Sequence, residues 1–270
     1  MTAETGTLVT RVVPPVRRNR AGRILERNVL VYRHGWMIIF SGFFEPVFYL
    51  FSLGVGIGAL VGDFEGPGGT MISYAQFVAP ALLAASAMNG AVFESTMNIF
   101  FKLKYGRIYD AILTTPVGVN DIAIGEIGWS LIRGAIYAVG FLMVMLAMGL
   151  MPSLWGLMAL PAALLIGFAF GAIGMATTTF MRSWQDFDYV TLATMPLFLF
   201  SATFYPLDVY PTVLQYVVRI SPLYHGVELI RALTLGSFDM TLIGHVGYLV
   251  ALGLIGVAIA GRRLESLLLK

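Results

Sequence analysis

Six stretches of this chain, each long enough to cross a bilayer as a helix, contain almost nothing that water would solvate. They lie at about 36–61, 72–100, 122–149, 154–180, 189–207 and 242–261. A spanning helix needs about 20 mainly apolar residues, and in lipid its backbone must satisfy its own hydrogen bonds. Only 12% of the 270 residues are charged, against roughly 25% in a soluble domain. Too few charges remain to cover a water-facing surface. The expected fold is therefore an all-α integral membrane domain of six transmembrane helices over residues 36–261. The fifth run is the least regular, because Pro196 and Pro206 fall inside or beside it.

The placement of the charges orients the bundle. Residues 1–35, the second-to-third connection, the fourth-to-fifth connection and the tail at 262–270 carry 14 of the 17 basic residues. The opposite loops carry only Arg219 and Arg231, and Arg133 alone lies within a span. Lys and Arg accumulate on the cytoplasmic side of membrane proteins. Both termini are thus expected in the cytoplasm, with the protein in the plasma (inner) membrane. No short apolar region ending at a small-residue cleavage site precedes Trp36, so residues 1–35 do not read as a signal peptide.

The connections have character of their own. Residues 17–33 read as an amphipathic helix on the inner membrane surface, with Ala21, Ile24, Leu25, Asn28 and Tyr32 near one face and Arg20, Arg23 and Arg27 on another. Residues 62–70 form a short external turn. The polar connection 102–120 is expected to hold a short helix from Tyr105 to Leu113, stopped by Pro116. On the external side, 205–241 contains two apolar stretches, 212–220 and 223–235, too short to cross. They fit half-membrane helices, which are tolerated when buried in protein.

Catalytic signatures are absent. The chain has no Cys, no H-E-x-x-H, no G-x-S-x-G and no phosphate-binding G-x-x-x-x-G-K-[ST]. It cannot hydrolyse ATP by a P-loop mechanism, and no metal site is expected, since His34, His225 and His245 read as interfacial or packed. The sharper signal is intramembrane charge. Glu45, Glu94, Glu126 and Arg133 lie within spanning runs, where a central charge costs about 2.5–3.5 kcal/mol on insertion scales. Two readings stand: they staple helices and couple their movement, or they line a route. Arg133 is expected to bridge to Glu94 or Glu45, because Glu126 lies about 10 Å lower along the same helix at 1.5 Å per residue. Gly54, Gly58 and Gly62 form two overlapping G-x-x-x-G steps, suited to a protomer interface or to packing within one bundle. Phe198, Phe200, Phe204 and Tyr205 would make either a hydrophobic substrate wall or an interfacial aromatic belt.

Four strings carry a family resemblance: EPVFYLFSLGVGIGALVG (45–62), SAMNGAVFEST (86–96), YDAILTTPVGVNDIAIGEIGW (109–129) and SPLYHGVELIRAL (221–233). Together with the basic amphipathic N-terminus and six runs, they resemble ABC-2 type transporter permeases, closest to the nodulation lipo-oligosaccharide exporter and daunorubicin-resistance-type branch. The resemblance implies a non-catalytic subunit of an ATP-driven exporter of glycolipid, lipid, polysaccharide or drug. Its partners would be an ABC ATPase subunit, which binds the ATP and Mg, a second identical or paired permease, and membrane lipid; nucleic acid is not expected. The resemblance places ATPase contact on 17–33, with Arg20, Arg23 and Arg27, and on 102–120, with Tyr109, Asp110, Thr114, Thr115 and Pro116. Tyr109, Ile112 and Leu113 would give that contact an apolar edge. The external re-entrant region would be 206–236. An ion-coupled secondary transporter is the competing class, and would more often show broken helices and midplane ionisable residues in both halves.

Overall fold

The computed structural model describes residues 20–33, 44, 46–66 and 69–269. The amphipathic segment is helix α1, Arg20–Tyr32. An apolar helix, α2, follows at Pro46–Val61, and Gly62 ends it with φ +73°. A two-stranded antiparallel hairpin, β1 (Asp63–Glu65) with β2 (Met71–Ser73), registers Phe64 against Ile72. Ser73 then caps the next helix, accepting from the Gln76 backbone N–H while the Gln76 side chain accepts from Ser73 N–H.

Among the described residues, four helices are long and apolar enough to cross a membrane: α3 (Tyr74–Tyr105), then, after the short α4 (Ile108–Leu113), α5 (Val119–Ala147), α6 (Leu154–Thr178) and, last in the chain, α10 (Thr241–Leu268). Between α6 and α10 lie α7 (Phe187–Leu199), α8 (Thr212–Ile220) and α9 (Pro222–Leu235). Helix α6 is central, packing on α3, α5, α9 and α10. Its contact with α10 is close: a Cβ on Gly256 would stand 2.7 Å from the Ala172 carbonyl carbon, so only glycine lets the two backbones approach.

Two apolar clusters divide the bundle along its length. The larger takes Leu50, Phe77, Leu82, Phe141, Ile166 and Leu249. The smaller takes Ile24, Ile99, Tyr109, Ile122, Met175 and Leu264, and so gathers α1, α4 and the ends of α3, α5, α6 and α10 at the end of the bundle where the basic segments lie.

The sequence expectation needs correction at three places. The run at 189–207 is not one helix. Helix α7 has 13 residues, and the chain turns irregular after Phe200, with Ala202 at φ +55°. Pro196 withdraws a backbone donor from the last turns, and the buried backbone that follows is satisfied from outside. Arg231 Nη2 donates to the Ala202 carbonyl at 2.7 Å, and the Tyr74 hydroxyl donates to the Phe204 carbonyl at 3.1 Å. Second, α3 runs on to Tyr105, so Lys102 is a buried helix residue and not part of a polar connection. Third, the short helix begins at Ile108, because the chain turns at Gly106 and at Arg107, which has φ +44°. Of the two readings of the glycine steps of α2, packing within one bundle has contacts here. A Cβ on Gly54 would lie 3.4 Å from Ala75 Cβ, one on Gly58 would lie 3.8 Å from Tyr74 Cβ, and Gly62 meets nothing within 4 Å. Residues 36–43 and Glu45, the start of the first run, lie outside the described residues.

Candidate functional site

Helix α1 repeats its apolar positions every three to four residues, so Ile24, Asn28 and the ring of Tyr32 share one face. That face lies on α5. Contact is tight where glycine interrupts α5: a Cβ on Gly125 would stand 2.5 Å from Ile24 Cβ. Docked this way, α1 carries two polar side chains, one turn apart, into a place where charge must be paired to exist.

The lower pair joins α3 to α5. Lys102 Nζ lies 2.7 Å from Glu126 Oε2, with both side chains at most 8% exposed. Asn28 completes the group: its Nδ2 donates to Glu126 Oε2 at 3.1 Å, and its Oδ1 accepts from Lys102 Nζ at 3.3 Å and from Arg27 Nη1 at 3.2 Å. The amide thereby bonds to the anion and the cation at once. Tyr109 of α4 is fully buried in the adjoining cluster. Its burial, and then the nearby charge of Glu126, push the phenol well above its ordinary value. The Tyr109 hydroxyl and Glu126 Oε1 are both buried without a hydrogen-bond partner.

The upper pair lies deeper, seven residues along α5 and eight along α3. Arg133 forms an ion pair with Glu94, and both side chains are at most 8% exposed. Tyr32 occupies the place that Asn28 has below. Its hydroxyl donates to Glu94 Oε1 at 3.5 Å and accepts from Asn98 Nδ2 at 2.9 Å and from Arg133 Nη1 at 3.5 Å. Asn98 also donates to Glu94. Arg133 Nε donates to the Tyr137 hydroxyl at 3.1 Å, and its guanidinium lies 5.3 Å from the centroid of the Tyr32 ring. Burial first, and then the Glu94 charge, push the Tyr32 phenol up to about 12. Glu94 and Lys102 each fall in a π-helical turn of α3, Glu94–Asn98 and Phe101–Tyr105. Such turns re-aim side chains and recur at functional sites.

Arg133 and Tyr137 also face a lateral groove of about 590 Å³ between α2, α3, α5 and α7. Ser86 and Asn89 add polar groups to walls made largely by Leu82, Phe93, Val190 and Phe198. On the far side of α7 a second groove of about 520 Å³, lined by Phe170, Ile173, Tyr189 and Leu252, lies against α6 and α10. Val190 and Thr194 face both spaces, and α7 has no fully buried residue.

The structure sorts the residues singled out from sequence. It joins Glu94 to Arg133 and places Glu126 in a separate pair; Glu45 lies outside the described residues. Arg20 and Arg23 are exposed, Arg23 pairing with Glu26 at 2.7 Å, and Arg27 touches Asn28. Asp110, Thr114, Thr115 and Pro116 form an exposed surface. The apolar edge expected for a partner is used inside the chain: Tyr109 is buried, and Ile112 and Leu113 pack on the lower cluster. Of the four aromatics, Phe198 lines the groove; Phe204 packs on Phe198 at 5.1 Å between centroids, Tyr205 packs on Tyr210 at 4.6 Å, and Phe200 is exposed. Sequence reasoning missed the roles of Asn28, Tyr32, Asn98 and Lys102. A polar Asn on the apolar face of an amphipathic helix was the available signal.

Apolar helices of crossing length, held by buried ion pairs, mark a multi-pass membrane protein. Residues 21–235 match the model of the ABC-2 type transporter membrane family, and the chain belongs to that family. It is 34% identical over 247 residues to nodulation protein J of Rhizobium leguminosarum bv. trifolii, covering 89% of this chain and 92% of that one. Identity is 32% over 247 residues to nodulation protein J of Rhizobium leguminosarum bv. viciae, covering 89% and 93%. The same identity and length hold for nodulation protein J of Rhizobium meliloti (strain 1021), covering 89% and 92%.

Proposed function

We propose that this chain is the permease subunit of an ATP-driven exporter, working with a second permease and with separate subunits that bind ATP and Mg. It crosses the inner membrane six times, with α2 and α7 adding to the four longer helices. Both ends are cytoplasmic, and 206–236 re-enters from outside. The substrate is an amphiphile, such as a glycolipid, lipid or hydrophobic drug, taken up sideways from the membrane. Apolar walls with a polar line at Ser86, Asn89 and Arg133 suit a molecule with a hydrocarbon part and an oxygen-rich part.

One observation carries this reading. The two segments at the basic end, α1 and α4, reach the ion pairs that hold α3 to α5, and the deeper pair ends on Arg133 in the groove wall. A push on α1 by an ATPase therefore displaces a groove residue through three hydrogen-bonded side chains. The exposed surface at Asp110, Thr114, Thr115 and Pro116, together with Arg20 and Arg23, is the docking face for that ATPase.

The test is co-purification with a nucleotide-binding subunit, reconstitution, and lipid analysis of the bound material. ATP hydrolysis should appear only with that subunit, and uptake into inverted vesicles should require ATP. Uptake driven by an ion gradient without ATP would instead establish a secondary transporter.

A further inference from the structure

At the end of the bundle opposite the basic segments, His225 of α9 and His245 of α10 face each other with Nδ1 atoms 2.7 Å apart. That separation admits one hydrogen and no more, so one ring must donate and the other accept. Around them the two helices are tied twice more. The His225 ring stacks on Tyr248 of α10 at 4.0 Å between centroids, and the Tyr248 hydroxyl donates to the Ile220 carbonyl, where α8 ends, at 2.8 Å. The opposite face of α9 is fixed by a group that does not titrate. Buried Arg231 donates to the Ala202 carbonyl and stands 3.9 Å from the centroid of the Phe77 ring. One side of α9 is held permanently. The other is held through a proton.

We propose that His225 and His245 form a proton-controlled latch that pins the α8–α9 pair to α10, closed while a single proton bridges the rings and open once both rings are charged. In the neutral pair the donor ring keeps a free Nε2. A first added proton goes there and leaves the bridge intact, now charge-assisted. A second can go only to the accepting Nδ1. Two N–H groups then point at each other between two cations, and the rings must part.

The neighbours set the order of these steps. Glu228 of α9 favours the first added charge, although Arg231 holds it at 2.5 Å. The first imidazolium opposes the second charge across 2.7 Å, and the Arg219 backbone of α8 hydrogen-bonds the His225 ring. Tyr224 and Tyr248 are the other titratable groups beside the rings. Pro222 at the start of α9 and Leu252 of α10 both line the second groove. Parting the latch therefore widens that groove at this end.

Two measurements on the full chain in lipid nanodiscs test the latch. With His34→Gln, the chain keeps only these two of its three histidines, and ¹⁵N-histidine spectra should show one protonated and one accepting Nδ1 at neutral pH. The rings should titrate in two steps separated by more than about one unit, as coupled sites do. The chain has no native Cys, so spin labels at Val217→Cys and Ile243→Cys report the distance between α8 and α10. It should lengthen on acidification, and it should not respond to pH when His225→Gln and His245→Gln are both present. Independent single-step titration of the two rings overturns the proposal. So does a distance that ignores pH, or one that still responds in the double Gln variant.

Discussion

Asn28 Nδ2 donates to Glu126 Oε2 across 98 residues of sequence, while the Asn28 Oδ1 accepts from Lys102 Nζ. A single amide thus belongs to both partners of a buried ion pair and moves with a helix that neither partner occupies. Hydrogen bonds to charged groups contribute about 1.5–3 kcal/mol. Asn28→Ala should lower the unfolding free energy by about that amount. It should also reduce the ATPase rate of the reconstituted complex more than an exposed control such as Leu30→Ala. Equal effects of the two substitutions would remove Asn28 from the coupling route.

The Arg133–Glu94 pair gives a test by rescue. Removing one member of a buried pair leaves an uncompensated charge and costs about 3–5 kcal/mol, whereas removing both is often close to neutral. Arg133→Leu should be strongly destabilised in a bilayer unfolding assay. Arg133→Leu with Glu94→Leu should recover part of the loss, and Arg133→Leu with Glu126→Leu should not.

Tyr109 separates a ring from its hydroxyl. The hydroxyl faces Glu126 without a well-formed hydrogen bond, so Tyr109→Phe should fold about as well as the parent. Tyr109→Ala removes a fully buried ring and should cost about 3–5 kcal/mol. The pH dependence follows from the raised phenol value. Stability from burying the neutral form is complete below about pH 10 and is lost as pH climbs through the higher folded value. Tyr109→Phe should therefore flatten the alkaline limb of the stability profile.

Gly125 tests the seat of α1. A Cβ there would lie 2.5 Å from Ile24 Cβ, and overpacking of this kind costs about 1–3 kcal/mol. Gly125→Val should lift α1 away and expose it to protease. Adding Ile24→Gly, which removes that Cβ, should restore part of the protection.

Orientation can be read by labelling, because the chain has no native Cys. Asp110→Cys should react with a membrane-impermeant maleimide only in inverted vesicles, and Glu65→Cys only in right-side-out cells. The opposite result would turn the bundle over.

Long apolar runs made α3, α5, α6 and α10 legible, since lipid burial leaves its mark on every residue of such a helix. The amphipathic α1 was legible for the complementary reason, its charges falling on one face. What could not be read was local backbone chemistry. Nothing in the apolar count of 189–207 announces that Arg231 would supply hydrogen bonds to a broken helix. Lys102 looked like a loop charge because one Lys cannot disclose a buried acid 24 positions away. The Arg133 pairing was narrowed to two acids by depth alone. The participation of Asn28 and Tyr32 required knowing which face of α1 meets α5.

Helix α7 stands between two grooves, touches both through Val190 and Thr194, and has no fully buried side chain of its own. Its ends are seated, Phe187 against Phe100 and Leu197 and Phe198 against the larger cluster, while the stretch between them faces open space on both sides. A hydrocarbon chain lodged in one groove would act on that stretch as a strut, and an empty groove as slack. On the exporter reading, cargo would then be part of the architecture that surrounds it, and the bundle with α7 pressed one way would differ from the bundle with α7 pressed the other by the contents of its own sides.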